Sequence, residues 1–251
     1  MTNRYFIFIS YNGASYHGWQ VQAGAVTVQS VLEETLSTIL GEKIAVTGAG
    51  RTDSGVHARY FCAHFDSIMN DLATSEKIVY RLNSFLPRDI SVFSIRRVLP
   101  DANARFSAVS RTYKYYIARY KNPFVFDSSW LLRGKIDVSK MNEACRILLT
   151  HEDFTSFSRL HSGAKTNICH LYLAEWEETE EMLVFTVKAD RFLRNMVRAI
   201  VGTMTDVGFG KLSPHGFEQI LIGRDRCLAG MSAPAKGLFL TGIEYPSAIF
   251  I

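Results

Sequence analysis

RYFIFISY, residues 4–11, is a run of aromatic and β-branched residues closed by Asn12-Gly13. Such a run ended by a turn pair predicts a strand. The elements after it set the architecture. Over residues 28–40, Val28, Val31, Leu32, Leu36, Ile39 and Leu40 fall on one side at helical spacing, and Gly41 stands just past the end. That pattern predicts a helix with its stop signal. A short strand is expected over 44–47, a longer one over 56–65 (VHARYFCAHF), a helix over 76–86 and an alternating strand over 90–98 (ISVFSIRRV). The order is βαββαβ, close to a ferredoxin-like or RRM-like unit.

Beyond residue 98, the stretch LPDANARFSAVS at 99–110 is the best boundary, and two halves are expected, 1–103 and 104–251. The second half opens on a strand, RTYKYYIARY (111–120). Its first helix carries Met141, Ala144, Cys145, Leu148 and Leu149 on one face, with Ser139 as the expected N-cap. Strands are expected near 169–176 and 182–189, then a helix over 191–206. A shorter helix opens at Ser213-Pro214 and ends near Gly223. GLFLTGIEYP reads as a closing strand. The apolar end, Ile249, Phe250 and Ile251, suits either a core or an interface. The fold class expected is α+β, two ferredoxin-like halves joined through a central, mostly antiparallel sheet flanked by helices.

Bulk properties exclude several classes. The chain has 251 residues, 47% of them hydrophobic, enough to bury a core. A mean hydropathy of +0.03 and 21% charged residues describe an ordinary globular protein rather than a disordered chain. No apolar run approaches the roughly 18 residues that cross a bilayer. MTNRYFIFISYNG lacks the long apolar stretch and small-residue cleavage site of a secretory leader, so a cytoplasmic location is expected. Cys62, Cys145, Cys169 and Cys227 show no C-x-x-C spacing and are expected as core thiols, with no metal site. The net charge of +4 permits a polyanionic partner without demanding one.

Three stretches can carry chemistry. The first is Gly48-Ala49-Gly50-Arg51-Thr52-Asp53-Ser54-Gly55. Its glycines allow a tight turn and close approach to a ligand. No GK[ST] follows and no helix is expected next, which argues against a nucleotide-phosphate loop. Asp53 is either a working carboxylate or the side chain of an Asx-turn. The second is the helix expected at 191–206, with an apolar stripe of Phe192, Leu193, Met196, Val197, Ile200, Val201 and Met204. Arg191, Arg194 and Arg198 oppose it. That face is either solvated or a site for carboxylate or phosphate. A mid-helix Gly202 beside Arg198 favours close approach of a backbone or ligand. The third is Arg111-Thr112-Tyr113-Lys114-Tyr115-Tyr116, whose alternating aromatic and basic residues suit stacked bases with phosphates, or simply a half-buried strand. Arg59, Arg81, Arg96, Arg97 and Arg105 either extend a basic groove or stand singly as solvated surface residues.

Together these stretches resemble the TruA family of tRNA pseudouridine synthases. YNGASYHGWQVQ near the start, GAGRTDSGVHA at 48–58, ARFSAVSRTYKYYI at 104–117, HEDFTSFSR at 151–159, FLRNMVRAIVG at 192–202 and APAKGLFLTGIEYP at 233–246 are similar to family segments in the same order. The resemblance implies the pseudouridine synthase fold. It implies a cofactor-free, metal-free isomerase that converts uridine to pseudouridine on the 3′ side of the tRNA anticodon stem-loop, at tRNA positions 38–40. It implies Asp53 as the essential carboxylate, Arg51 as the residue that helps flip the target base, Tyr113 as the stack on uracil and Arg198 as the ion-pair partner of Asp53. Gly50, Thr52 and Arg111 are expected to contact substrate. A homodimer binding one tRNA across both subunits is also implied, with no membrane partner. Two departures stand out: Ser54, where Ala is common, and Phe-Asp-Ser in KNPFVFDSSWLL, where an Arg is frequent. Two other classes compete. A non-catalytic RNA-binding module has no use for Asp53, and a glycosidic hydrolase needs a second carboxylate.

Overall fold

A computed structural model describes residues 2–159 and 165–251. The chain forms two compact units, Met1–Ser110 together with Leu240–Ile251, and Arg111–Phe239. Both are mixed α+β with multi-strand, mostly antiparallel sheets and flanking helices.

In the first unit, β1 (Asn3–Tyr11), α1 (Val28–Leu40), β2 (Thr47–Gly48), β3 (His57–Ser67), α2 (Glu76–Phe85) and β4 (Ile90–Arg97) follow the expected order. The sheet runs β4–β1–β3, with β2 on β3, and every pair is antiparallel. The middle strand is β1. Tyr5, Phe6, Ile7 and Ile9 are fully buried there, so both of its faces are covered. That explains an unbroken apolar run where a half-exposed strand would alternate. Thr27 caps α1 through a capping box: its hydroxyl accepts from Ser30 N (3.2 Å) and Ser30 Oγ accepts from Thr27 N (3.1 Å). Gly41 ends the helix at φ +71°.

The strand expected over 44–47 is a correction. Only Thr47–Gly48 pairs. The backbone before it is engaged by α1 side chains: Ile44 N bonds Ser37 Oγ, Val46 N bonds Glu33 Oε1, and Val46 O accepts from Gln29 Nε2. Groups used this way cannot join a ladder.

The second unit holds β5 (Ser110–Ala118, from Arg111 on), β6 (Trp130–Leu131), α3 (Val138–Leu148), β7 (Leu171–Glu178), β8 (Met182–Ala189), α4 (Met196–Gly208) and α5 (Pro214–Gly223). β8 lies between β5 and β7, antiparallel to both, and β6 pairs parallel to β5. Met141, Ala144, Cys145 and Leu148 of α3 are buried as expected, while Leu149 follows the helix at 39% exposure. The N-cap is Asp137, not Ser139: its carboxylate accepts from Lys140 N at 3.1 Å, so the helix starts earlier.

The last strand, β9 (Leu238–Glu244), begins in the second unit, and from Leu240 it runs beside β3 in the first. The tail then crosses the aromatic face of β1. Phe250 packs on Phe6 and Phe8 and lies under the Arg96 guanidinium, 3.8 Å from the ring centre. Ile251 N bonds Arg97 O at 3.2 Å, extending the sheet at β4. Among the described residues, no helix is long and apolar enough to cross a membrane.

Candidate active site

The loop after β2 carries Gly50, Arg51, Thr52 and Asp53 together in the first unit. Its entry is fixed by Ala49 N to Cys62 O (2.8 Å), and its exit by Val56 N to Asp53 O (3.1 Å), with Gly55 at φ +77°. Thr52 is buried and held twice: its carbonyl accepts from Trp19 N (3.2 Å), and its hydroxyl bonds the Tyr11 hydroxyl (2.9 Å). Ser54 Oγ donates to Tyr16 O (3.1 Å). Asp53 therefore stands half-buried between two pinned neighbours, and Arg51 projects to solvent.

The segment that grips this loop is Tyr11–Trp19. A methyl group on Gly18 (φ +85°) would lie 2.4 Å from Thr52 O, and one on Gly13 would lie 2.0 Å from Val56 O. Gly13 N also donates to Nδ1 of buried His57 (3.1 Å). The sequence assigned Tyr11, Gly13, Gly18 and Trp19 no part in holding this loop. The signal present was glycine spacing, since Gly13 and Gly18 mark where one backbone must touch another.

Arg111, Tyr113 and Arg198 belong to the second unit. Tyr113 is half-buried and meets Phe192 edge to face, with ring centres 5.1 Å apart. Arg111 Nη1 donates to Asp190 O at 2.7 Å. Tyr115 is a core residue rather than a stacking one. It is fully buried and its hydroxyl donates to Pro234 O (2.8 Å). Burial pushes its phenol far above the usual range, against the opposing charge of Arg198.

Arg198 lies in the first turn of α4, and this helix needs correction. It begins at Met196, after Asn195 in the left-handed region at φ 66°. Residues 191–195 form loop and turn instead, with Asp190 Oδ1 accepting from Arg191 N (2.7 Å) and His170 N (2.8 Å), and the left-handed Asn195 interrupts any helix running through it. Arg191 and Arg194 therefore share no helix face with Arg198. Arg198 Nε donates to Ala233 O (2.7 Å), and Ala233 N returns a bond to Arg198 O (2.9 Å). The strap 229–234 is held further by Arg226 on Ala229 O and Gly230 O, and by Thr203 Oγ1 on Gly230 N. A methyl on Gly202 would lie 1.7 Å from Met231 O, so the close approach expected of this glycine is a backbone.

Cys62, Cys145 and Cys169 are buried, and burial pushes the thiols of Cys145 and Cys169 up to about 12. Cys227 is exposed and is no core thiol. It sits in the turn where Asp225 Oδ1 accepts from Cys227 N (2.8 Å). No group of three metal-ligating side chains occurs among the described residues.

A family model described as tRNA pseudouridine synthase matches residues 7–107 and 144–246. A tRNA pseudouridine synthase A from Bacteroides thetaiotaomicron is 51% identical over 98% of this chain and 92% of its own length. One from Parabacteroides distasonis is 48% identical over 98% of both chains. A more distant one from Bacillus licheniformis is 40% identical over 94% of this chain and 97% of its own. Likeness of this extent, spanning both units and the loop that bears Asp53, places the chain in the tRNA pseudouridine synthase family.

Proposed function

We propose that the enzyme isomerises uridine to pseudouridine on the 3′ side of the tRNA anticodon stem-loop, with Asp53 as its catalytic carboxylate. The observation that carries the reading is the placement of Asp53. It is a half-buried carboxylate on a loop whose flanking residues are both bonded to the Tyr11–Trp19 segment. A group held this way keeps its aim without reorganising during reaction.

The reaction breaks the N1–C1′ bond, turns the uracil and forms C5–C1′. N1 gains a proton and C5 loses one, with no net redox change. Asp53 acts on the nucleotide as base or nucleophile. Arg198 is assigned as its ion-pair partner, because the planar guanidinium fork suits a carboxylate. Tyr113 stacks on the uracil, and Arg111, Gly50 and Thr52 contact the substrate. Taking a base out of a stack costs a few kcal/mol. Arg51, exposed on the loop, offsets this by filling the vacated place. A homodimer engages one tRNA across both subunits.

Carbodiimide labelling and primer extension on a uridine-containing tRNA transcript test the reading. Stops on the 3′ side of the anticodon arm after treatment with enzyme support it. A transcript that is bound yet unmodified overturns it. Light scattering tests the dimer: twice the chain mass is expected at micromolar concentration, and a monomer contradicts it.

A further inference from the structure

Between β4 and β5, a short loop of the first unit is knotted by Asn103. Its Oδ1 accepts from Arg105 N (2.9 Å) and Phe106 N (3.2 Å), its own N donates to Ser107 Oγ (2.9 Å), and its carbonyl accepts from Ser107 N (2.9 Å). The knot is tied to the rest of the unit as well. Ala104 N donates to Nδ1 of His64 (3.1 Å), Ala104 O accepts from the Tyr245 hydroxyl (2.6 Å), and Ala102 O accepts from Arg4 (3.2 Å). At the tip of this rigid turn, Phe106 is 78% exposed, and the Arg105 guanidinium lies over its ring, 5.3 Å from the centre.

A lone exposed apolar side chain is ordinary on a protein surface. Here it is an aromatic, its backbone is fixed by side-chain and main-chain bonds, and a cation lies over the ring. Unpaired nucleobases stack on aromatic faces and on guanidinium planes, and a nearby positive charge suits their phosphates. A fixed turn lowers the ordering cost of such a contact. An acidic protein surface would use the Arg105 charge but leave the ring unexplained.

We propose that Arg105 and Phe106 form a preorganised stacking platform for one unpaired base of the RNA substrate, a base other than the uridine that reacts. The proposal rests on the tRNA-modifying function above. Every base offers a π face, so the platform contributes affinity and little choice among bases.

The test compares wild type, Phe106→Ala, Phe106→Trp and Tyr80→Ala, each as the full chain. Equilibrium binding to a tRNA transcript is read by fluorescence anisotropy, and pseudouridine formation by carbodiimide labelling. Tyr80, 74% exposed on α2, is the control. Thermal unfolding confirms that each variant is folded. Phe106→Ala is expected to raise Kd by between about 5-fold and about 100-fold. Phe106→Trp should restore binding, Tyr80→Ala should change nothing, and kcat at saturating RNA should hold. Wild-type affinity in Phe106→Ala, failure of Trp to do better than Ala, or an equal loss at Tyr80 overturns the platform. A wild type that binds and forms no pseudouridine overturns the proposed function instead.

Discussion

Asp53 is aimed by its neighbours. Thr52 and Ser54 are each bonded to the Tyr11–Trp19 segment, and Gly18 touches Thr52 O so closely that no side chain fits between them. Gly18→Ala adds a methyl 2.4 Å from that carbonyl, at a φ of +85° that alanine rarely adopts. We expect it to destabilise the protein by roughly 1–3 kcal/mol, and to lower kcat more than it raises KM for tRNA. Denaturant unfolding and steady-state kinetics check both. Arg51 makes a different kind of contribution. Arg51→Ala is expected to hurt activity more on a structured tRNA than on a flexible single strand, because only the first requires a base to be extracted. Equal losses on both substrates, measured by pseudouridine yield, would count against base flipping. Asp53, Arg51 and Arg198 were legible as residues of interest from glycine content and charge placement, though Asp53 had two readings until the family segments were recognised. The grip of Tyr11 on Thr52 was not legible, since a bond between residues 41 positions apart leaves no local pattern.

Among the secondary-structure elements, the long strands and helices followed their periodicity, and errors fell where side chains captured the backbone. The expected strand at 44–47 lost its amide and carbonyl partners to Gln29, Glu33 and Ser37. The expected helix at 191–206 began at Met196, after Asn195 in the left-handed region, with Arg191 N and His170 N taken by Asp190. Asp, Glu, Gln and Ser compete with regular ladders in this way, and hydrophobic spacing does not report it. The Asn103 turn depends on His64, whose Nδ1 must stay unprotonated to accept from Ala104 N. Burial, and then the charge of Arg4, lower the pKa of His64 below its ordinary value, against the pull of Asp66. The unfolded chain thus binds a proton that the folded one does not as pH drops below about 6.5. The stability from neutral His64 is full above that pH and is lost as pH falls through the lowered value. Thermal unfolding should show this acid loss in wild type and a flatter profile in His64→Gln. Identical profiles would show that His64 does not titrate differently on folding.

The molecule as a whole is two α+β units whose chain crosses between them after Ser110 and again after Phe239. The βαββαβ order of the first unit was readable from residues 4–98. The return of the tail to its β3 edge was not, because pairing across the length of the chain depends on tertiary packing alone. Asp53 and Arg51 belong to the first unit, and Tyr113 and Arg198 to the second. The net charge is +4, and affinity for a polyanion such as tRNA should fall with rising salt. The sharpest check on the role of Asp53 is tritium release from tRNA labelled at C5 of uridine, comparing wild type with Asp53→Asn under conditions where both bind tRNA. Isomerisation must expel the C5 hydrogen, so release is expected from wild type and none from Asp53→Asn at equal occupancy. Release by Asp53→Asn at the wild-type rate would contradict the assignment of Asp53 as the catalytic carboxylate.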